Sequence, residues 1–234
     1  MLSNERVAPI AASGNNVVVD AQLFFSFRSP YSYLALVRWR AVLRELTLKL
    51  DARPVYPLAI RQPDFFERNH PNWLRYTRLD VLRLAAFHGI AMGRPDPDPI
   101  IQDLATRSIA AEQPQIFRLV RMGQAAARQG AGFAFADAVM PLIWDGEGSW
   151  TAAGRLEQAV TAAGLDWTML AAAAESEAQI LDEEVAANQA ALEAAGHWGV
   201  PTLVFAGEPF FGQDRIELAL WRMRQAGLQR REAV

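Results

Sequence analysis

The sequence predicts an α/β protein in which a small sheet-containing domain is interrupted by a large all-helical insertion. Three observations carry this. A β-α-β pattern stands near the N-terminus. Residues 64 to 196 repeat apolar side chains every three or four positions and hold no convincing strand. Strand character then returns from Gly199, followed by one closing helix.

The first strand is predicted after Asn15-Asn16, in VVVDAQLFFSF, where Leu23, Phe25 and Phe27 share one face and Phe24 takes the other. That pattern suits a strand buried on both sides. The strand ends at Arg28-Ser29, and Pro30 fits the first position of a helix with Ser29 as its N-cap. In YSYLALVRWRAVLREL, Leu34, Val37 and Ala41, with Leu36, Trp39 and Leu43, fall at helical spacing. LTLKLDARPV alternates Leu46, Leu48 and Leu50 against Thr47, Lys49 and Asp51, a half-buried strand. In the middle block, helices are predicted over 72–88, 100–129, 133–144, 151–163 and 166–195, separated by GRPDPDP, EQP and GAG. At the far end, TLVF, a turn at Ala206-Gly207-Glu208 and PFF form a hairpin, and a helix runs from Gln213 onward. This order is that of a thioredoxin-like domain, 21–63 with 197–228, enlarged by a helical insertion at 64–196 and preceded by a flexible segment at 1–20.

Composition narrows the function. The chain has 234 residues, enough for one large core, and a formal net charge of -3 that gives no electrostatic reason to expect nucleic acid. No run approaches the roughly eighteen apolar residues of a spanning helix, and the N-terminus lacks the cationic start and apolar run of a secretory signal, so a cytoplasmic protein with no membrane partner is expected. There is no cysteine, so any thiol chemistry needs a borrowed thiol. His70, His88 and His197 lack metal-ligand spacing, and no metal is expected.

Three places carry potential chemistry. Ser29 sits at the positive end of a helix dipole, where an anion is stabilised, although a plain N-cap explains it as well. Val200-Pro201 enters a strand. A cis bond there would turn the Val200 N–H and C=O outward for an extended ligand, whereas a trans proline would simply begin an edge strand. Gly212 permits a tight turn, and Asp214 at the following helix start serves as a cap or as the partner of a ligand amine.

LFFSFRSPYSYLAL followed by WGVPTLVFAGEPFFGQDRIELAL resembles the 2-hydroxychromene-2-carboxylate isomerases, relatives of kappa-class glutathione transferases in the DsbA-like thioredoxin superfamily. The resemblance runs from about residue 21 to 225. It implies glutathione as cofactor and a ring-opened aromatic-degradation intermediate as small-molecule substrate, isomerised by reversible thiolate addition. Ser29 then hydrogen-bonds the glutathione sulfur. The backbone of Val200, before a cis Pro201, pairs with the cysteinyl part, and Gln213 and Asp214 take the γ-glutamyl end. Asn69, Tyr76 and Arg28 fall on the substrate side. Two departures stand out: Arg28 occupies a place where relatives carry a small or apolar residue, and Trp73 stands where many carry a lysine, leaving Arg75, Arg78 or Arg61 to meet a ligand carboxylate. A kappa-like transferase and a redox-inactive, peptide-binding thioredoxin fold are the alternatives. Homodimers are common among such families, and no surface stripe points to one here.

Overall fold

A computed structural model describes residues 18–103, 105–106 and 108–232. The segment expected to be flexible falls outside these residues, apart from 18–20, and of those Val19 and Asp20 already belong to the first strand.

Four strands make one sheet in the order β2-β1-β3-β4. Strand β1 (Val19–Phe25) leads through helix α1 (Pro30–Glu45) to β2 (Leu48–Pro54), which pairs parallel to β1 from Val19↔Leu48 to Phe25↔Pro54. A parallel pair requires such a crossover, and α1 supplies it. A short helix α2 (Leu58–Arg61) follows β2, and helices α3 (Phe65–Arg68), α4 (Pro71–His88), α5 (Pro114–Arg128), α6 (Gly132–Trp144), α7 (Arg155–Ala162), α8 (Trp167–Ser176) and α9 (Ala178–Ala194) form the insertion. The chain returns as the hairpin β3 (Thr202–Phe205) and β4 (Glu208–Phe211), a 3-10 turn at Gln213–Arg215 and α10 (Ile216–Gln225). Strand β3 lies antiparallel to β1 with Phe24↔Thr202, so β3 is interior and the edge-strand alternative for Pro201 does not hold.

The alternation read in β1 divides the core. Leu23, Phe25 and Phe27 enter the main cluster with Trp39, Phe135 and Leu203. Phe24 packs on the other side with Val55, Leu192 and Val204. Side chains of this size, sealed from water, each contribute about 1.5–3 kcal/mol. The main cluster runs from α1 and α10 into α5 and α6, so sheet and insertion share one core.

The insertion differs from expectation in its boundaries. The described residues between 100 and 113 are not helical despite their apolar spacing. Asp103 accepts from the N–H groups of Ala105 and Thr106, both at 2.8 Å. Gln113 clips the loop by accepting from the Ile101 N–H and donating to the Ile101 and Ala110 carbonyls. Such side-chain bonds satisfy backbone groups that a helix would otherwise pair. The helix begins only where Pro114 fits its first turn. Likewise α7 starts at Arg155, after Gly154 at φ 76°, and the alanine-rich run 166–195 divides at Glu177 into α8 and α9.

Candidate functional site

Ser29 caps α1. Its backbone is extended (φ −93°, ψ 113°), its Oγ accepts from the Ser32 N–H at 3.1 Å, and Pro30 fills the first helical position. The serine N–H donates to the Ser26 carbonyl at 3.0 Å. One lone pair of the hydroxyl is therefore used, while its own hydrogen has no acceptor among the described residues. A half-buried, uncommitted O–H at the positive end of a sixteen-residue helix suits an anion. Ser32 is different: it is fully buried, and its Oγ accepts from the Ser26 N–H at 3.3 Å, so it braces the turn beneath the site. The Ser26 Oγ is itself buried without a partner.

The Val200-Pro201 bond is cis. The β1–β3 register, continued past Phe24↔Thr202, sets this dipeptide against Phe25 and Ser26, three residues before Ser29. The preceding loop is clamped from several sides. His197 Nδ1 accepts from the Gly199 N–H at 2.8 Å, the Thr202 hydroxyl donates to the Gly199 carbonyl at 2.7 Å, and Arg61 donates to the carbonyls of Tyr56 (2.7 Å) and Trp198 (3.0 Å). Gly199 is hemmed in by rings: a Cβ would lie 2.7 Å from Phe211 and 2.9 Å from His197, so both rings would have to shift to admit one. Within this clamp, the N–H and C=O of Val200 make no hydrogen bond among the described residues.

The third element is the 212–215 turn. The Gly212 N–H donates to the Pro201 carbonyl at 2.9 Å, joining the turn to the cis-proline. Gln213 is only 4% exposed, and both its main-chain carbonyl and its Oε1 accept from Arg38 of α1. Gln213 was expected to contact ligand beside Asp214. Its two oxygens are thus engaged by the protein, while its side-chain NH2 donates to no protein group among the described residues. Asp214 was also expected to cap the last helix. It makes no such bond, and its exposed carboxylate pairs with Arg215 at 2.8 Å, open to a ligand amine. Beside these parts lies a small, partly open cavity of about 10 Å³, room for about one water, lined by Trp39, Pro201, Phe210, Gly212 and Arg215 among others.

The substrate-side residues are less open than the sequence suggests. Arg28 is not a free cation beside Ser29. It forms a bidentate pair with Asp98 (2.8 and 3.0 Å), bonds Gln102 at 3.3 Å and lies over the Phe66 ring. Asp98 belongs to the RPDPDP loop, which has a cis Asp96-Pro97 bond and is tied down by Trp150 donating to the Pro97 carbonyl at 2.7 Å. Asn69 ends α3 and donates to the Phe65 carbonyl at 2.6 Å. Tyr76 is 60% exposed, and its hydroxyl donates to Asp80 at 3.2 Å.

Asp80 is a residue that sequence reasoning passed over. Its other oxygen accepts from Tyr31, in the turn that carries Ser29, at 2.8 Å. Burial, then the Asp80 carboxylate, pushes the Tyr31 hydroxyl well above the usual tyrosine range, so it stays a neutral donor. Arg38 was also missed. The available signal was an arginine among the apolar residues of α1, which needs a partner if that surface is covered.

The aromatic residues are arranged as a strip. Phe66 meets Phe65 and Trp73, Phe65 meets Trp198, and Trp198 stacks on His197, which stacks on Phe211. Trp73, Trp198 and Phe211 remain partly exposed, so the strip is a wall as well as a packing unit. Of the three arginines considered for a ligand carboxylate, Arg61 is used by backbone carbonyls, whereas Arg75 and Arg78 line an open concavity of about 400 Å³ on α4 with Pro71, Leu74 and Leu79. No group of three or more potential metal ligands occurs among the described residues, and His70 caps α4 by accepting from the Asn72 N–H.

A thioredoxin-type sheet, a helix N-terminus at Ser29 and a cis-proline beside it define a thioredoxin-fold protein whose motif carries hydroxyls in place of thiols. The chain belongs to the DSBA-like thioredoxin domain family, whose model matches residues 21–223. Among solved structures it is similar to a 2-hydroxychromene-2-carboxylate isomerase (TM-score 0.63, 21% identity, covering 88% of this chain and 95% of that one). It is also similar to a probable DsbA oxidoreductase from Streptomyces coelicolor (0.61, 17%, 89% of each chain). A third neighbour is the cytosolic disulfide reductase DsbM from Pseudomonas aeruginosa, solved with GSH (0.54, 15%, 88% and 96%). No curated protein matches the chain. No helix among the described residues is long and apolar enough to cross a membrane.

Proposed function

We propose that the protein is a glutathione-dependent cis-trans isomerase of the 2-hydroxychromene-2-carboxylate type, acting in the cytoplasm on a ring-opened aromatic-degradation intermediate. The observation that carries this is the uncommitted hydroxyl hydrogen of Ser29 at the start of α1, in a chain without cysteine. A thiol site with no thiol of its own calls for one brought by a ligand. A structural neighbour solved with GSH and another that is itself such an isomerase support the choice of ligand and reaction.

The residues present fit glutathione. Val200 offers an unpaired N–H and C=O, the pair that an extended peptide backbone takes up by strand addition. Asp214 offers an exposed carboxylate to the γ-glutamyl amine. When bound, glutathione would supply a thiolate able to add reversibly to a carbon–carbon double bond conjugated with a carbonyl, the electron pair passing to the carbonyl oxygen, so that the former double bond can rotate before the thiolate is expelled unchanged. Ser29 would donate its hydrogen bond to the sulfur, and the α1 dipole would favour thiolate over thiol. Oxygen at this position stabilises sulfur without forming a disulfide with it. The strip from Phe66 to Trp198 offers an aromatic face to the substrate, and Arg75 and Arg78, which line the open concavity on α4, are our candidates to meet its carboxylate.

Isothermal titration with glutathione tests this, using the full chain and the Ser29→Ala variant. Binding by the wild type is expected, weakened about tenfold in the variant by loss of one hydrogen bond to a charged group. Absence of wild-type binding up to millimolar glutathione would sink the proposal. Turnover of an arylidene-pyruvate that leaves total glutathione unchanged supports the isomerase, whereas stoichiometric consumption would reassign the protein as a transferase.

A further inference from the structure

We infer that Arg38 is a positioning residue, holding the 212–215 turn in the shape that accepts the γ-glutamyl end of the thiol ligand. This rests on glutathione occupying the Ser29 site as proposed above. Arg38 lies in the middle of α1, the helix whose first turn presents Ser29, and its Nη1 donates to the Gln213 carbonyl and, at 2.9 Å, to the Gln213 Oε1. Its Nη2 stands 3.8 Å from the Glu217 carboxylate in α10. One planar guanidinium therefore fixes both the backbone and the side chain of the residue before Asp214, and aligns the turn with the same helix that sets the sulfur site.

The turn needs an outside brace because little within it resists movement. Gly212 sits at φ 108°, the 3-10 turn has no side-chain cap, and Asp214 and Arg215 point outward. Its attachments are the Gly212 N–H on Pro201, Arg38 on Gln213, and the start of α10. The Pro201 bond fixes the end nearest the cysteinyl part of the ligand. Arg38 fixes the end that carries Asp214. Loss of Arg38 is therefore expected to be felt at one end of the ligand only.

The test titrates three thiols, glutathione, γ-glutamylcysteine and cysteinylglycine, into the wild type, Arg38→Met and Arg38→Lys. Arg38→Met is expected to weaken the two γ-glutamyl thiols about tenfold and cysteinylglycine less than about twofold, with Arg38→Lys recovering to about threefold of wild type. A purely structural role would weaken all three equally, and that result, or no change in any, would overturn the inference while leaving glutathione binding at Ser29 intact. Failure of the wild type to bind any of the thiols would overturn the site assignment and the inference with it. If circular dichroism shows Arg38→Met unfolded, Gln213→Met carries the same test. It removes one of the two acceptors and is expected to give about threefold weakening with the same split between ligands.

Discussion

The two sides of the site are built differently. On the sheet side, Ser29, Val200 and Asp214 leave donors and acceptors open, and backbone held by buried neighbours fixes their positions. On the insertion side, Arg28, Asn69 and Tyr76 already have protein partners in Asp98, the Phe65 carbonyl and Asp80. On the function proposed above, the sheet side would be a preorganised receptor for a ligand with fixed chemistry. The insertion side is a wall whose polar groups keep the wall in place, with its open cations further out at Arg75 and Arg78. Preorganisation lowers the cost of binding where the ligand does not change. Substrate choice is left to shape and to exposed aromatic surface.

The largest expected effect comes from breaking the backbone of the sheet side. Gly212 combines φ 108° with ψ 151°, a region nearly restricted to glycine, and a Cβ there would lie 2.5 Å from the Asp214 Oδ1. Gly212→Ala is expected to cost about 1–3 kcal/mol in urea unfolding and to abolish measurable glutathione binding, because the Pro201 bond and the Asp214 carboxylate both move. Binding retained at wild-type strength would mean that the turn is not part of the receptor.

A smaller effect is expected at the join between the two sides. Asp98→Asn removes the charge opposite Arg28 and leaves a mostly covered guanidinium one residue from Ser29. Asp98 is itself well exposed, so the loss of stability is expected to be about 1 kcal/mol or less. With Asp98 neutralised, the Arg28 charge next to Ser29 in the chain is uncompensated, and added positive charge near a bound thiol favours thiolate. The bound thiol should therefore ionise at lower pH than in the wild type, read from ultraviolet thiolate absorbance across a pH series. An unchanged thiol titration would show that Arg28 serves the wall alone.

How much of this was legible in the sequence follows the same division. The β-α-β start, the Ser29-Pro30 cap, the glycine at 212 and the final hairpin are local patterns, and the fold obeys them. That the described residues between 100 and 113 are not helical was missed because the apolar spacing there imitates a helix, while Asp103 and Gln113 divert backbone groups. Partners far apart in sequence were out of reach. Arg28 finds Asp98 seventy residues on, and Arg38 finds Gln213 across 175 residues. Such pairs are set by tertiary packing, of the insertion on the sheet domain for Arg28 and of the last turn on α1 for Arg38, which no periodicity encodes. That is why Ser29 and the cis Pro201 were placed correctly in structure, while Gln213 and Arg28 turned out to face inward partners.

Tyr76 is where the smallest effect sharpens the comparison. Its hydroxyl donates to an Asp80 oxygen at 3.2 Å in an exposed position, while Tyr31 bonds the other oxygen at 2.8 Å from a part-buried one. The shorter, better shielded bond is the one that ties the Ser29 turn to α4, since hydrogen bonds to charged groups count for more where water is excluded. Tyr76→Phe should therefore leave urea stability within about 0.5 kcal/mol of the wild type and glutathione affinity unchanged. Tyr31→Phe has a different exposure and a different partner geometry, so it serves as the internal reference in the same unfolding series. If Tyr76→Phe instead lowers turnover of an aromatic substrate while glutathione binding holds, the tyrosine touches substrate, and the insertion side contributes a polar group to recognition after all. If neither quantity moves, α4 contributes through its ring surfaces and through Arg75 and Arg78, as the division between the two sides requires.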